Sequence, residues 1–327
     1  MKSLQFTVVN EDYPGEKFKR LFEKNWPAYK AWYLDEGEAA RPSYLECIQA
    51  FKKHMPELYP VYQDILKLIN GDDLQARFLS LYCPPPFFSA CSQLTLNTPT
   101  PTLIRNYDFP PILCEGIISC GQWLGNNVVA MADCVWGALD GMNEAGLSVS
   151  IAYGGRLAKG EGFGITIVIR YVLEICTNVE EAIRVLKRIP IHLDYNIALI
   201  DADGNQATVY VAPDRDVMVT QEQASTNHQD PIVPEKPLFL PDTGIRLDAL
   251  NHLALTVSTT ALDPSISFLY PPLYRSHLIN KSGTLYTAAY YPKAGQIRYL
   301  WPQAQISIDL ASLSSTQDQD LTIYYDS

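Results

Sequence analysis

Ser89-Ala90-Cys91-Ser92-Gln93 and, further on, Arg105-Asn106-Tyr107-Asp108-Phe109 decide how this chain is read. Gln93 to Thr95 and Thr102 to Tyr107 flank Asn97-Thr98-Pro99-Thr100-Pro101, so two extended segments are joined by turn-forming residues. A cysteine preceded by small residues on one segment, with an arginine and an aspartate on the other, makes Cys91 a candidate nucleophile. A thiol is mostly protonated near neutral pH and needs a base or a positive neighbour to react.

Two bases fit. One is an imidazole, and the chain has five histidines, His54, His192, His228, His252 and His277. No cysteine carries the local signature of papain-like or caspase-like enzymes. The other is the α-amine of the nucleophile itself, which titrates near about 7.7–8.0 and suits proton shuttling at physiological pH. That amine exists on Cys91 only if the Ala90–Cys91 bond is cut.

Working outward, residues 4–9 read as a short strand, and the residues up to Cys83 are otherwise helical. Phe18, Leu21, Phe22, Trp26 and Tyr29 recur at helical spacing, with Pro27 bending or restarting the helix. Ser43 with Glu46 forms a capping box for a second helix bearing Leu45, Ile48, Phe51 and Met55, and Asp72-Asp73 opens a third. Cys83-Pro84-Pro85-Pro86 ends the helical part. Downstream, strands are expected at 128–131, 147–153, 196–201 and 207–211, with Asp140 to Gly146 as a turn and Asp203-Gly204 as a hairpin. Helices are expected at 165–175, after a capping box Thr177-Asn178-Val179-Glu180, and at 244–254. Gln229 to Pro241 reads as loop. A last hairpin spans 284–290 and 296–300, and 321–325 is an edge strand or disordered. Helices, then strands, a helix pair and strands again give a layered α+β sandwich.

The 327 residues are 47% hydrophobic, enough for one large domain or two small ones, and the net charge of −11 without a basic cluster argues against a nucleic-acid partner. No apolar run reaches the roughly 20 residues of a membrane span, and no signal peptide is read at the N-terminus. Seven cysteines at loose spacing fit free thiols in a reducing compartment, hence the cytoplasm, rather than a zinc site. Gly160-x-Gly162-x-Gly164 lacks the third glycine of a dinucleotide fingerprint.

Cys91-Ser92, Arg105-Asn106-x-Asp108, Met142-Asn143-Glu144-x-Gly146-Leu147, Thr226-Asn227-His228 and Thr284-Leu285-Tyr286 occur in this order over about residues 80–300. In this order they resemble the choloylglycine hydrolase and acid-ceramidase-like branch of the N-terminal nucleophile hydrolases. The long helical stretch before Cys91 is most similar to the isopenicillin N acyltransferase-like subgroup. The resemblance implies a four-layer αββα sandwich, with residues 1–90 as a mostly helical prosegment and 91–327 as the catalytic domain. It implies self-cleavage between Ala90 and Cys91, although the subgroup often has Gly where Ala90 stands. Arg105 would favour the thiolate, Asp108 would hold the α-amine, and the Asn227 amide would help form an oxyanion hole. The family's second oxyanion asparagine is replaced by Tyr153, from which only the backbone N–H could donate. Arg275 would match a second family arginine.

The implied activity is cleavage of a linear amide, or acyl transfer, through a Cys91 thioester on a small N-acyl substrate. No metal and no cofactor are implied, with acyl-CoA entering only as an acyl donor, and the two pieces would stay associated as a heterodimer. Two other readings stand beside it: an uncleaved binding protein on the same fold, and a hydrolase pairing cysteine with His228 or His54.

Overall fold

A computed structural model describes residues 2–230, 242–257, 263–276 and 282–325. His277 and positions 231–241 of the expected loop lie outside them. The chain opens with strand β1 (Lys2–Asn10) and helices α1 (Glu16–Tyr33), α2 (Tyr44–His54), α3 (Tyr59–Leu68) and α4 (Asp73–Ser80). Ser43 Oγ accepts from the Glu46 amide while the Glu46 carboxylate accepts from the Ser43 amide at 2.8 Å, so the expected box caps α2. Pro27 sits inside α1 without ending it. Phe78 of α4 gathers Trp26, Tyr29 and Tyr33 of α1, with ring centroids 5.1–5.8 Å away. Fully buried Phe51 lies 6.0 Å from both Trp136 and Phe163, which anchors the helices to the rest of the molecule. A ring buried as fully as Phe51 or Phe78 stabilises by roughly 1.5–3 kcal/mol relative to exposure.

The remaining elements are β2 (Ala90–Leu96), β3 (Thr102–Phe109), β4 (Ile117–Gly121), β5 (Val128–Asp133), β6 (Gly137–Asn143), β7 (Ser148–Tyr153), α5 (Ile165–Ile175) and α6 (Val179–Arg188). They continue through β8 (Tyr195–Ile200), β9 (Gln206–Ala212), β10 (Arg215–Thr220), β11 (Ala224–Ser225), α7 (Thr243–Val257), β12 (Gly283–Tyr291), β13 (Gln296–Trp301), β14 (Ala304–Asp309) and β15 (Gln319–Tyr325). A nine-stranded sheet has the order β10-β9-β8-β7-β6-β5-β4-β1-β15, and a six-stranded sheet has β11-β2-β3-β12-β13-β14. All pairings are antiparallel except β1 with β4. Helices α5 and α6 cover the outer face of the first sheet, and α7 covers β2 and β11 of the second. Between the sheets, Gln93 of β2 joins Ser150 of β7 and the Asn196 carbonyl of β8. This is the four-layer αββα sandwich.

Two local expectations are corrected. Asp140 and Gly141 belong to strand β6, and the turn is confined to residues 144–146, with Gly146 at φ +84°. The turn-like residues have other reasons to be there. Asp140 is a buried counter-charge, and a Cβ on Gly141 would lie 2.6 Å from the Val129 carbonyl oxygen. The cap of α6 also sits one residue later than expected: Asn178 Oδ1 accepts from the Glu181 amide at 3.0 Å. No helix among the described residues is long and apolar enough to cross a membrane.

Candidate active site

Strands β2 and β3 pair with Ala90 opposite Asp108, Cys91 opposite Tyr107 and Gln93 opposite Arg105. Side chains alternate along a strand, so Cys91, Gln93, Arg105 and Tyr107 look toward the nine-stranded sheet, while Ala90, Ser92 and Asp108 look toward α7. Both faces are covered, and for that reason all seven residues of β2 are buried and the alternation is invisible as a polarity pattern.

On the inter-sheet face, Arg105 Nη2 lies 3.3 Å from Cys91 Sγ. Its Nη1 donates to Asp140 Oδ2 and lies 2.9 Å from the Tyr286 hydroxyl, and the guanidinium stands 4.7 Å over the Tyr107 ring. The two Asp140 oxygens also accept from the Tyr286 and Tyr290 hydroxyls. Burial works against the charge on Arg105, but Tyr286, Cys91 and Asp140 outweigh it and hold its pKa well above the usual value. Arg105 and Asp108 therefore do not pair with each other. They project from opposite faces of β3, and the carboxylate partner of Arg105 is Asp140.

On the helix-facing side, Asp108 Oδ1 accepts from Thr284 Oγ1 at 2.6 Å, and Arg275 Nη1 lies 3.8 Å from Oδ2. Oδ2 is buried without a hydrogen-bond partner. Burial raises the Asp108 pKa against the opposing pull of Arg246, Thr284 and Arg275. Arg275 is itself bonded through Nε to Asp242 at 3.2 Å.

Asn227 reaches the Ala90–Cys91 bond from the loop after β11. Its main-chain N–H donates to Thr243 Oγ1 at 2.8 Å, at the start of α7. Gly155, at φ +80°, passes so close that a Cβ there would lie 2.4 Å from the Asn227 carbonyl oxygen. Asn227 Oδ1 accepts from the Cys91 N–H at 2.9 Å, and Nδ2 donates to the carbonyls of Tyr153 at 2.9 Å and Ser89 at 3.2 Å. It is thus the carbonyl of Tyr153, not its N–H, that faces Asn227. Ahead of the bond, the Phe88 ring lies 4.9 Å from that of Tyr153.

Among the described residues, neither His228 nor His54 contacts the sulfur. The contacts of Cys91 Sγ are Arg105 and, at 3.7 Å, Ser89 Oγ. His228 Nδ1 lies 3.2 Å from the hydroxyls of both Thr226 and Thr243, and His54 packs edge-on against Phe163 at 6.1 Å. Two buried residues escaped the sequence reading. Asp140 looked like a turn residue, and Arg246 is one arginine on a helix whose exposed Ile245 and Leu255 blur any amphipathic pattern. Only the fold brings either one to Cys91.

Residues 95–305 match the family model of acyl-coenzyme A:6-aminopenicillanic acid acyl-transferase. Among solved structures, a variant of conjugated bile acid hydrolase from Clostridium perfringens superposes with a TM-score of 0.55 at 14% identity, covering 72% of this chain and 98% of that one. A second mutant of the same hydrolase gives 0.50 at 14% identity, covering 73% and 97%. Penicillin V acylase from Agrobacterium tumefaciens gives 0.44 at 18% identity, covering 71% and 90%. No curated protein sequence matches the chain. The family match spans more than half of the chain and includes Arg105, Asp108, Asn227, Arg246 and Arg275, while Cys91 lies just ahead of it.

Proposed function

Since the chain belongs to the acyl-coenzyme A:6-aminopenicillanic acid acyl-transferase family, we propose that it is a self-processing cysteine amidohydrolase or acyltransferase with Cys91 as nucleophile. Cys91 Sγ attacks the Ala90 carbonyl carbon, the C–N bond breaks, and the sulfur's proton passes to the departing nitrogen. Water then hydrolyses the thioester, leaving a carboxylate on Ala90 and a free thiol and α-amine on Cys91. In turnover the same sulfur attacks the carbonyl of a linear N-acyl compound, with the α-amine taking the thiol proton and returning it to the leaving amine. Water or an acceptor amine then takes the acyl group from sulfur. Asn227 Nδ2 is the side-chain donor for the oxyanion, a neutral group suited to developing negative charge. Asp108 Oδ2 is the acceptor for the α-ammonium, and Arg275 stands behind that carboxylate. Tyr153 takes part through its carbonyl, which orients Asn227.

The observation that carries this reading is the Arg105 guanidinium 3.3 Å from Cys91 Sγ while Asn227 holds the Cys91 N–H at 2.9 Å. Neither His228 nor His54 contacts the sulfur, which favours the α-amine over either histidine as base. Denaturing mass measurement tests the proposal. Wild type should resolve into residues 1–90 and a piece beginning at Cys91, the two co-purifying as a heterodimer, and Cys91→Ala should stay one chain. A wild type that stays whole on prolonged incubation and takes no acyl group from reactive amide or thioester probes would sink it.

A further inference from the structure

The roles assigned so far leave out Arg246, although its side chain is fully buried. Nη1 donates to the Cys91 carbonyl and, at 3.1 Å, to Ser92 Oγ, and Nη2 donates to Asn227 Oδ1 at 2.9 Å. Its counter-ion is Asp242, one turn earlier and 3.4 Å away, on a side chain that is one-third exposed. Nε has no hydrogen-bond partner. Burying a guanidinium is costly unless its contacts offset the lost hydration, and here one long contact to a partly exposed carboxylate is joined only by the field of buried Asp108. What the planar fork does meet closely is the nucleophile's own main chain and the amide beside it.

We propose that Arg246 is a positioning residue that sets which end of the Asn227 carboxamide faces the reacting bond; this rests on the reading of Cys91 as nucleophile. The oxygen and nitrogen ends of an amide have nearly the same shape, so only their partners select an orientation. Here Oδ1 accepts from both Arg246 and the Cys91 N–H, which leaves Nδ2 directed at the Ser89 and Tyr153 carbonyls, on the acyl side of the Ala90–Cys91 bond. A flipped amide would set its NH2 group against two donors. In the intact chain the Cys91 N–H alone could hold this orientation. Once the bond is cut, that nitrogen becomes an amine that must also accept protons. Arg246 is the donor on Oδ1 that lies outside the bond being cut. Its second arm, on the Cys91 carbonyl, keeps the new terminal residue in the same frame.

A double-mutant cycle tests this, with the rate of self-processing and the rate of acylation by a reactive thioester probe as readouts. Asn227→Ala should slow both by about 10²–10³-fold, the usual loss of one oxyanion donor. Arg246→Met should slow them by about 10–100-fold, since a disoriented amide still donates part of the time. The double variant should be no slower than Asn227→Ala, because an amide that is gone cannot be misdirected. Arg246→Lys should recover part of the rate, and it takes the place of Arg246→Met in the cycle if that variant does not fold. Losses that multiply in the double variant, or wild-type rates in Arg246→Met, would overturn the inference. A wild type that neither processes nor acylates would overturn the Cys91 reading and this inference with it, a result distinct from a multiplicative cycle.

Discussion

Asp140 and Asp108 are both fully buried carboxylates near Cys91, on opposite faces of the β2–β3 ribbon, and they are equipped differently. Asp140 is saturated by Arg105 and by the hydroxyls of Tyr286 and Tyr290. Asp108 has Thr284 on one oxygen, while its second oxygen has no hydrogen bond among the described residues and only Arg275 Nη1 at 3.8 Å. Buried polar atoms in folded proteins are nearly always hydrogen-bonded, so a carboxylate oxygen left with only a long ion pair is conspicuous. Under the proposed function the difference is one of timing. The partners of Asp140 are all present in the intact chain, whereas the hydrogen-bond donor for Asp108 Oδ2 would be an ammonium that appears only after cleavage. One carboxylate is closed by its arginine and two hydroxyls, and the other, held only at long range by Arg275, has room for the ammonium that the proposed cleavage would create.

Substitutions can break this contrast. Asp140→Asn should have the largest effect on stability, lowering it by about 3–5 kcal/mol in urea unfolding, because it strands the Arg105 guanidinium without a counter-charge. Asp108→Asn keeps the acceptor for Thr284 and should change stability by less than about 1 kcal/mol. Its turnover of an N-acyl substrate should nevertheless fall by about 10²-fold; a variant as active as wild type would remove Asp108 from the chemistry. Tyr290→Phe takes one of several donors from Asp140 and should destabilise by about 1–2 kcal/mol with little change in rate.

A third acidic site sharpens the comparison through pH. Burial pushes Glu115 up to about 8, with help from neighbouring Asp133, and pushes Asp133 itself up to about 6. The Tyr29 hydroxyl of α1 donates to Glu115 and lies 3.5 Å from Asp133. Because both carboxyls bind protons more tightly in the folded chain, their contribution is complete below the ordinary carboxylate range and is lost as pH rises through about 6 and then about 8. The melting temperature of wild type should therefore fall between pH 5 and pH 8.5 by more than that of Glu115→Gln. Equal falls would show that this pair does not titrate as described.

Much of the layering was legible because local chemistry and tertiary structure agree. The Ser43–Glu46 box, the apolar run of α5 and the β12–β13 hairpin about Gly295, at φ +67°, read directly. The site was legible only where its residues fall in a recognisable order, as Cys91, Arg105, Asp108 and Asn227 do. Asp140 was hidden because Asp and Gly side by side signal a turn, and nothing local reveals a counter-ion lying 35 residues away. Arg246 was hidden because its contacts are to the main chain of Cys91 and to an amide 19 positions upstream, pairings that leave no spacing pattern. Strand β10, with exposed Met218 and Val219, departs from the buried alternation that marks the inner strands.

Strand β1 gives the helical segment a property that its position ahead of Cys91 does not suggest. It lies between β4 and β15, in register with Ile117 to Cys120 on one side and with Gln319 to Tyr325 on the other. Removing it would leave β15 detached and uncover two rows of backbone donors and acceptors, an invitation to edge-to-edge aggregation. A cut at Ala90–Cys91 would therefore nick this protein rather than trim it, because the front piece supplies a strand hydrogen-bonded on both edges to the piece behind the cut.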